Sequence, residues 1–168
     1  RLRNAVSSAS YALRSAASGE DSIKQAAIID AEYSAKVAGR QLEITGTLTV
    51  RSMSDSLIIV PLDFQGLTIT DMKLDGQPAQ LGTTDKNYDI NLVVKGKGDH
   101  KLTLQAVAAI MENNATTIAA FDLPRSTVAS MNITAPGNTD IKSPSPVTKQ
   151  VYDKKTDTTT AALTLSQG

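Results

Sequence analysis

Residues 28–51 read IIDAEYSAKVAGRQLEITGTLTVR, two runs in which apolar side chains recur at every second position, interrupted at Gly39 and Arg40. A strand turns successive side chains to opposite faces. Ile29, Ala31, Tyr33, Ala35 and Val37 therefore share one face, and Leu42, Ile44, Gly46, Leu48 and Val50 share another. A two-residue loop at Gly39-Arg40 pairs Val37 with Leu42, Ala35 with Ile44 and Tyr33 with Gly46, leaving both apolar faces on one side of a sheet. A three-residue loop would put one of them on the wrong side, because a slip of one residue inverts every side chain. Glycine in the first loop position suits a type II′ turn, although a turn at Ala38-Gly39 preserves the faces equally well. Opposite Gly46, Tyr33 reads as a packing partner, since an aromatic ring can cover a glycine across a sheet.

The same logic extends along the chain. In SLIIVPLDF, residues 56–64, Ile58, Val60, Leu62 and Phe64 share a parity while Leu57 and Ile59 occupy the other, which predicts a strand buried on both sides for part of its length. Pro61 has no N–H to donate, so this strand bends or lies at an edge. In LTITDMKL, residues 67–74, the apolar parity flips between Ile69 and Met72, and a bulge near Thr70-Asp71 accounts for it. Asp75-Gly76 is a tight-turn signal, and Pro78 excludes a central strand at that point. YDINLVV at 88–94 and KLTLQAVAAI at 101–110, joined by KGKGDH, read as a second hairpin. Further strands are predicted at 116–123, 127–135 and 158–166.

Two segments do not alternate. In residues 1–25, Leu2, Ala5, Val6, Ala9 and Leu13 recur at helical spacing, so this serine-rich piece reads as an N-terminal helical or linker segment. Residues 136–150, PGNTDIKSPSPVTKQ, contain three of the six prolines and are predicted to form a Pro-rich loop or the exit from the domain. The expected fold is all-β: an antiparallel β-sandwich of about nine strands, immunoglobulin-like or jelly-roll-like, over residues 26–168.

Composition narrows the function classes. The chain has 168 residues, and its 17 basic and 17 acidic side chains cancel. No basic block makes nucleic acid the default partner, because Asp99 interrupts the local cluster of Lys95, Lys97, His100 and Lys101. There is no cysteine, which removes disulfides and thiolate chemistry. No run approaches the roughly 18 apolar residues of a membrane span, so no direct span is expected. The sequence opens on Arg1, which fits a processed product or an excised piece.

No residue stands out as catalytic, cofactor-binding or metal-ligating, and no cofactor is expected. Lys97, although flanked by glycines, lacks the strand, Lys-Ser/Thr and helix order of a phosphate loop. His100 is the single histidine and has no second histidine or cysteine with which to build a zinc site. Asp63 with Asp71 is the kind of accidental carboxylate pair any such domain offers to glycoside hydrolysis. Asp71, Asp75, Asp85 and Asp89 are too irregularly spaced for an EF-hand and read as turn-forming acids. A serine hydrolase would need a nucleophile elbow, and no Gly-x-Ser-x-Gly is present. Asn114-Ala115-Thr116 and Asn132-Ile133-Thr134 match the glycosylation acceptor pattern, informative only in a secretory eukaryotic setting.

The succession GRQLEITGTLTV, LIIVPLDF, LTITDMKLDGQPA and GKGDHKLTLQAVAAI, within residues 28–135, resembles a β-sandwich module found inside large uncharacterised bacterial envelope proteins. The likeness is carried by turns and core pattern, including the Leu-Asp-Gly turn and the Gly-x-His-x-Leu strand entry. It implies an exported setting, in the periplasm or at the cell surface, and transfers no catalytic residue. The expected function is a non-catalytic structural or protein-interaction module. Its partner would be another protein or a neighbouring β-module, met through a sheet face or edge. A carbohydrate-binding module is the alternative, and a groove lined by Tyr11, Tyr152 and carboxylates would favour it. A hydrolase would require converging aspartates with His100 in a pocket.

Overall fold

The computed structural model describes residues 25–83 and 90–165. The helix expected within residues 1–25 lies outside the described residues except for Gln25, as does Tyr88. The described residues form twelve strands and no helix: β1 (Ala26–Ala38), β2 (Gln41–Ser52), β3 (Leu57–Leu62), β4 (Thr68–Leu74), β5 (Gln77–Pro78), β6 (Leu81–Thr83), β7 (Ile90–Lys95), β8 (Gly98–Asn113), β9 (Thr116–Ala119), β10 (Val128–Pro136), β11 (Val147–Asp153) and β12 (Thr158–Thr164). Nine belong to a large mixed sheet in the order β11-β12-β10-β1-β2-β8-β4-β5, with β9 paired to β8; β3-β7-β6 form a smaller sheet. The all-β sandwich expected from alternation is the observed class.

The opening hairpin has the register that its apolar pattern demands, with Val37 opposite Leu42, Ala35 opposite Ile44 and Tyr33 opposite Gly46. Gly39 has a φ of 62° while Arg40 stays outside the left-handed region, as a type II′ turn requires. One detail differs from expectation. A bulge between Ile28 and Asp30 shifts the parity, so Ile28 rather than Ile29 is buried. Across the sheet, a Cβ built on Gly46 would lie 2.8 and 2.9 Å from Tyr33 ring carbons and 3.2 Å from Leu104. The ring therefore occupies the volume that any larger residue at position 46 would need.

Other local signals also appear in the structure. The register of β4 on β8 shifts between Ile69 and Asp71, turning Met72 into the core. Asp75 and Gly76 both have positive φ, 51° and 81°, in the tight turn into β5. Pro61 lies on β3, an outer strand of the small sheet, and Pro78 lies on the two-residue edge strand β5, where neither disrupts an interior ladder.

Three longer-range expectations are corrected. The second predicted hairpin does not form: β7 pairs with β3 and β6, whereas β8 pairs with β2, β4 and β9. The cause is burial on both sides of β7, where Asn91, Leu92, Val93 and Val94 are consecutively buried. Gly96 and Gly98, with φ of 99° and 118°, let the chain leave one sheet and enter the other. Second, the sheet is not wholly antiparallel, because β10 runs parallel to β1. The predicted strand at 116–123 ends at Ala119, and residues 120–127 carry the chain from β9 to β10, the last leg of the long connection between β1 and its parallel neighbour. Phe121 and Leu123 of this leg pack against the core, and Asp122 bridges to Gln65. Third, the Pro-rich segment ends in β11, whose residues 147–150 fall within the stretch read as loop.

The core lies between the two sheets. Ile58, Val60, Leu62, Leu92 and Val94 of the small sheet join Leu48, Val50, Leu102 and Leu104 of the large one in a single cluster. Each fully buried aliphatic side chain there contributes about 1.5–3 kcal/mol. β12 pairs with both β10 and β11, so the late strand completes this unit. Its Thr159 is fully buried, donating its hydroxyl to the Gly137 carbonyl and accepting the Thr139 N–H.

Candidate functional site

Three surface features stand apart from the hydrophobic core. The first is a shallow depression of about 340 Å³ on the outer face of β10, β1 and β2. Alternation turns Glu32 and Ser34 of β1, Thr45 and Thr47 of β2, and Ser130 and Asn132 of β10 toward it. The registers place Glu32 between Ser130 and Thr47, and Ser34 between Asn132 and Thr45. The result is a polar patch with one carboxylate. Tyr33 also borders it, yet this residue is 3% exposed and its hydroxyl lacks a hydrogen-bond partner. Burial pushes the Tyr33 phenol well above the usual tyrosine range.

The second feature is the corner where β4 turns into β5 and the chain passes from β7 to β8. His100 Nδ1 lies 2.7 Å from Asp75 Oδ2, and Nε2 lies 2.9 Å from the Gly96 carbonyl oxygen. Asp75 Oδ1 accepts the Lys101 N–H at 2.8 Å, and the Asp75 N–H donates to the Lys101 carbonyl at 2.8 Å. The hydrogen bond to Asp75, then that to Gly96, raises the His100 pKa above its ordinary value despite partial burial. Partial burial pushes Asp75 up, but its bonds from His100 and Lys101 and the nearby imidazolium hold it below the ordinary carboxylate value. Beside this corner, Arg51 holds Asp99 through two hydrogen bonds of 2.7 and 3.0 Å, a cross-strand pair exposed to solvent.

The third feature was not legible as a site in the sequence. β8 runs past β4 and pairs with β9 in a hairpin whose turn places Asn114 and Ala115 at φ of 45° and 67°. Ile110 and Ala119, on the inner side, pack against the core. Met111 and Ile118 face each other on the other side and are 60% and 43% exposed. With half-buried Val107 and exposed Ala109 on the same side of β8, they extend an apolar strip along the hairpin. The available signal was the continuation of β8's outward parity through positions 107, 109 and 111.

The remaining candidate residues are dispersed. Asp63 follows β3, whereas Asp71 lies on β4 and pairs with Lys73 at 3.7 Å. Asp85, Asp89 and Tyr11 lie outside the described residues. Tyr152 donates its hydroxyl to Asp157 within the β11–β12 hairpin, away from the polar depression. The Lys97 N–H approaches Asp55 Oδ1 at 3.4 Å in the turn. Asn114 and Asn132 are both exposed. Among the described residues, no group of three or more histidine, aspartate or glutamate side chains could hold a metal ion, and no helix is long and apolar enough to cross a membrane.

No protein-family model matches the sequence, and no curated protein does. The fold is similar to that of part of the M1 zinc metallopeptidase from Deinococcus radiodurans, at 15% identity and a TM-score of 0.55 over 83% of this chain and 39% of that one. A two-domain M1 zinc metallopeptidase mutant bound to L-tryptophan gives 15% identity and a TM-score of 0.56 over 84% and 39%. Native yeast LTA4 hydrolase gives 12% identity and a TM-score of 0.50 over 84% and 27%. At these identities the likeness is one of fold alone, and it lies with domains of characterised enzymes rather than with envelope proteins in particular. The chain corresponds to 27–39% of the length of these proteins, and in fold it is an all-β module of the kind found within larger chains.

Proposed function

We propose that this chain is a non-catalytic structural or protein-interaction module of a larger exported protein, in the periplasm or at the cell surface, and that it works through the β8–β9 hairpin. The carrying observation is the exposed Met111–Ile118 pair on a projecting hairpin whose opposite side is anchored in the core. A firmly held element with an apolar outer strip is suited to docking, because burying such a strip removes apolar surface from water. Methionine adapts to irregular partner surfaces. The occupant is a neighbouring part of the parent polypeptide, consistent with the similar folds belonging to chains more than twice as long. The exported setting rests on the resemblance of the turns and core pattern to envelope modules.

The test is a Met111→Asp, Ile118→Asp double variant mixed with the remainder of the parent protein. The expected result is a melting temperature close to that of the unaltered chain and loss of association by light scattering or calorimetry. Association as strong as that of the unaltered chain overturns the assignment.

The polar depression on β10-β1-β2 favours a second reading, a carbohydrate-binding module in which Glu32, Ser34, Thr45, Thr47, Ser130 and Asn132 meet sugar hydroxyls. Binding of an oligosaccharide that is lost in Glu32→Ala would support it. Equal binding by that variant would remove the depression from consideration.

A further inference from the structure

We propose that His100 is held as an imidazolium and acts as a proton-operated clamp, fastening the passage out of the small sheet to a corner of the large one. The geometry is specific about protons. Nδ1 faces a carboxylate oxygen at 2.7 Å and Nε2 a backbone carbonyl at 2.9 Å, both of which only accept hydrogen bonds. A neutral imidazole carries one N–H, so it can satisfy one of these contacts and sets a lone pair against an oxygen at the other. The imidazolium satisfies both. His100 continues the inner row of β8 and is only 14% exposed along its side chain; its bond to the Gly96 carbonyl is partly buried, whereas the Asp75 carboxylate is half exposed. Its two partners sit on separate elements, the β4–β5 turn and the connection that follows β7.

The charged groups around the ring reinforce this state. Asp75 faces Nδ1 directly, with its other oxygen fixed by the Lys101 N–H. Asp99, next in sequence on β8, adds attraction although Arg51 of β2 already engages it. Lys95, Lys97 and Lys101 are the neighbouring cations, and Asp55 lies within reach of the Lys97 amide. The clamp is fully present between the ordinary carboxylate range and about pH 6.5, the unperturbed histidine value. It is lost as pH rises through the higher value of the folded protein. On the acid side it is lost as pH falls through the lowered Asp75 value.

The test is an NMR titration of the His100 ring in the full chain, with amide exchange at Gly96, Lys97 and Gly98 followed across the same pH range and corrected for intrinsic base catalysis. The expected result is a ring doubly protonated at pH 6.5, and exchange at these amides rising on the order of tenfold for each unit by which His100 titrates above its free value. Asp75→Asn should lower the titration point, and His100→Gln should make the corrected exchange independent of pH. Titration at or below the free-histidine value, or exchange unchanged as His100 loses its proton, overturns the proposal. If Asp75→Asn does not fold, His100→Gln and the unaltered chain decide the matter.

Discussion

β1 and β2 remain paired from their turn to the far end of the hairpin, whereas β7 and β8, joined by an equally short connection, lie in different sheets. Both pairs carry an apolar residue at every second position of the sequence, so that pattern alone does not explain the difference. What separates them is how many faces are covered and what the connection permits. β1 and β2 each bury one face, and Gly39-Arg40 closes a hairpin that keeps these faces together. β7 buries four consecutive residues, so it needs cover on both sides, while β8 buries every second residue from Leu102 to Ala108. The lesson is that period two tells which side chains share a face, and two-sided burial tells which strands lie beneath another layer.

The largest expected effects test whether the two regions share one core. Leu48 of the hairpin and Leu92 of β7 are both fully buried in the same cluster. Leu48→Ala and Leu92→Ala should each cost about 2–5 kcal/mol in urea unfolding. A negligible loss in Leu92→Ala would break the claim that the small sheet is integral to the fold.

Next comes Gly46→Ala, whose added carbon would meet the Tyr33 ring and Leu104. Overpacking of this kind should cost about 1–3 kcal/mol. In an open strand position the same change is favourable, because alanine loses less backbone freedom. A stabilised Gly46→Ala protein would mean that the ring does not cover position 46.

Gly98→Ala probes the other region. No atom lies within 4 Å of its would-be Cβ, so only the positive φ opposes the substitution. The expected cost is about 1–2 kcal/mol, with no change in the unfolding slope.

Tyr33→Phe is the smallest effect and the one with reversed sign. It removes a buried hydroxyl that has no partner, and should raise stability by about 1 kcal/mol. A loss of stability would show that the hydroxyl is satisfied in solution.

Much of the fold was legible where the cause is local. The Tyr33–Gly46 register, the shift at Thr70 and the Asp75-Gly76 turn each follow from side-chain parity or backbone conformation within a few residues. The parallel pairing of β10 with β1 was not legible, because Ala129, Met131 and Ile133 specify a face and not a neighbour. β11 escaped notice because its residues are exposed apart from half-buried Tyr152, leaving no burial pattern in VTKQVYD beyond its valines, threonine and tyrosine. The candidate surfaces were legible only in part. The strand expected at 101–110 leaves His100 just outside it, whereas β8 begins at Gly98 and pairs His100 with Val50; its contact with Asp75 joins residues 25 apart in sequence. Met111 and Ile118 gain their meaning only once β8 is seen to outrun β4.

The central functional claim is that the firmly anchored hairpin β8–β9 presents the working surface. Hydrogen–deuterium exchange of this chain, alone and within its parent protein, tests it most directly. Added protection is expected at residues 107–119 in the parent, with the outer face of β10-β1-β2 unchanged. Protection confined to Glu32, Ser34, Thr45 and their neighbours, with the hairpin exchanging equally in both samples, would contradict it.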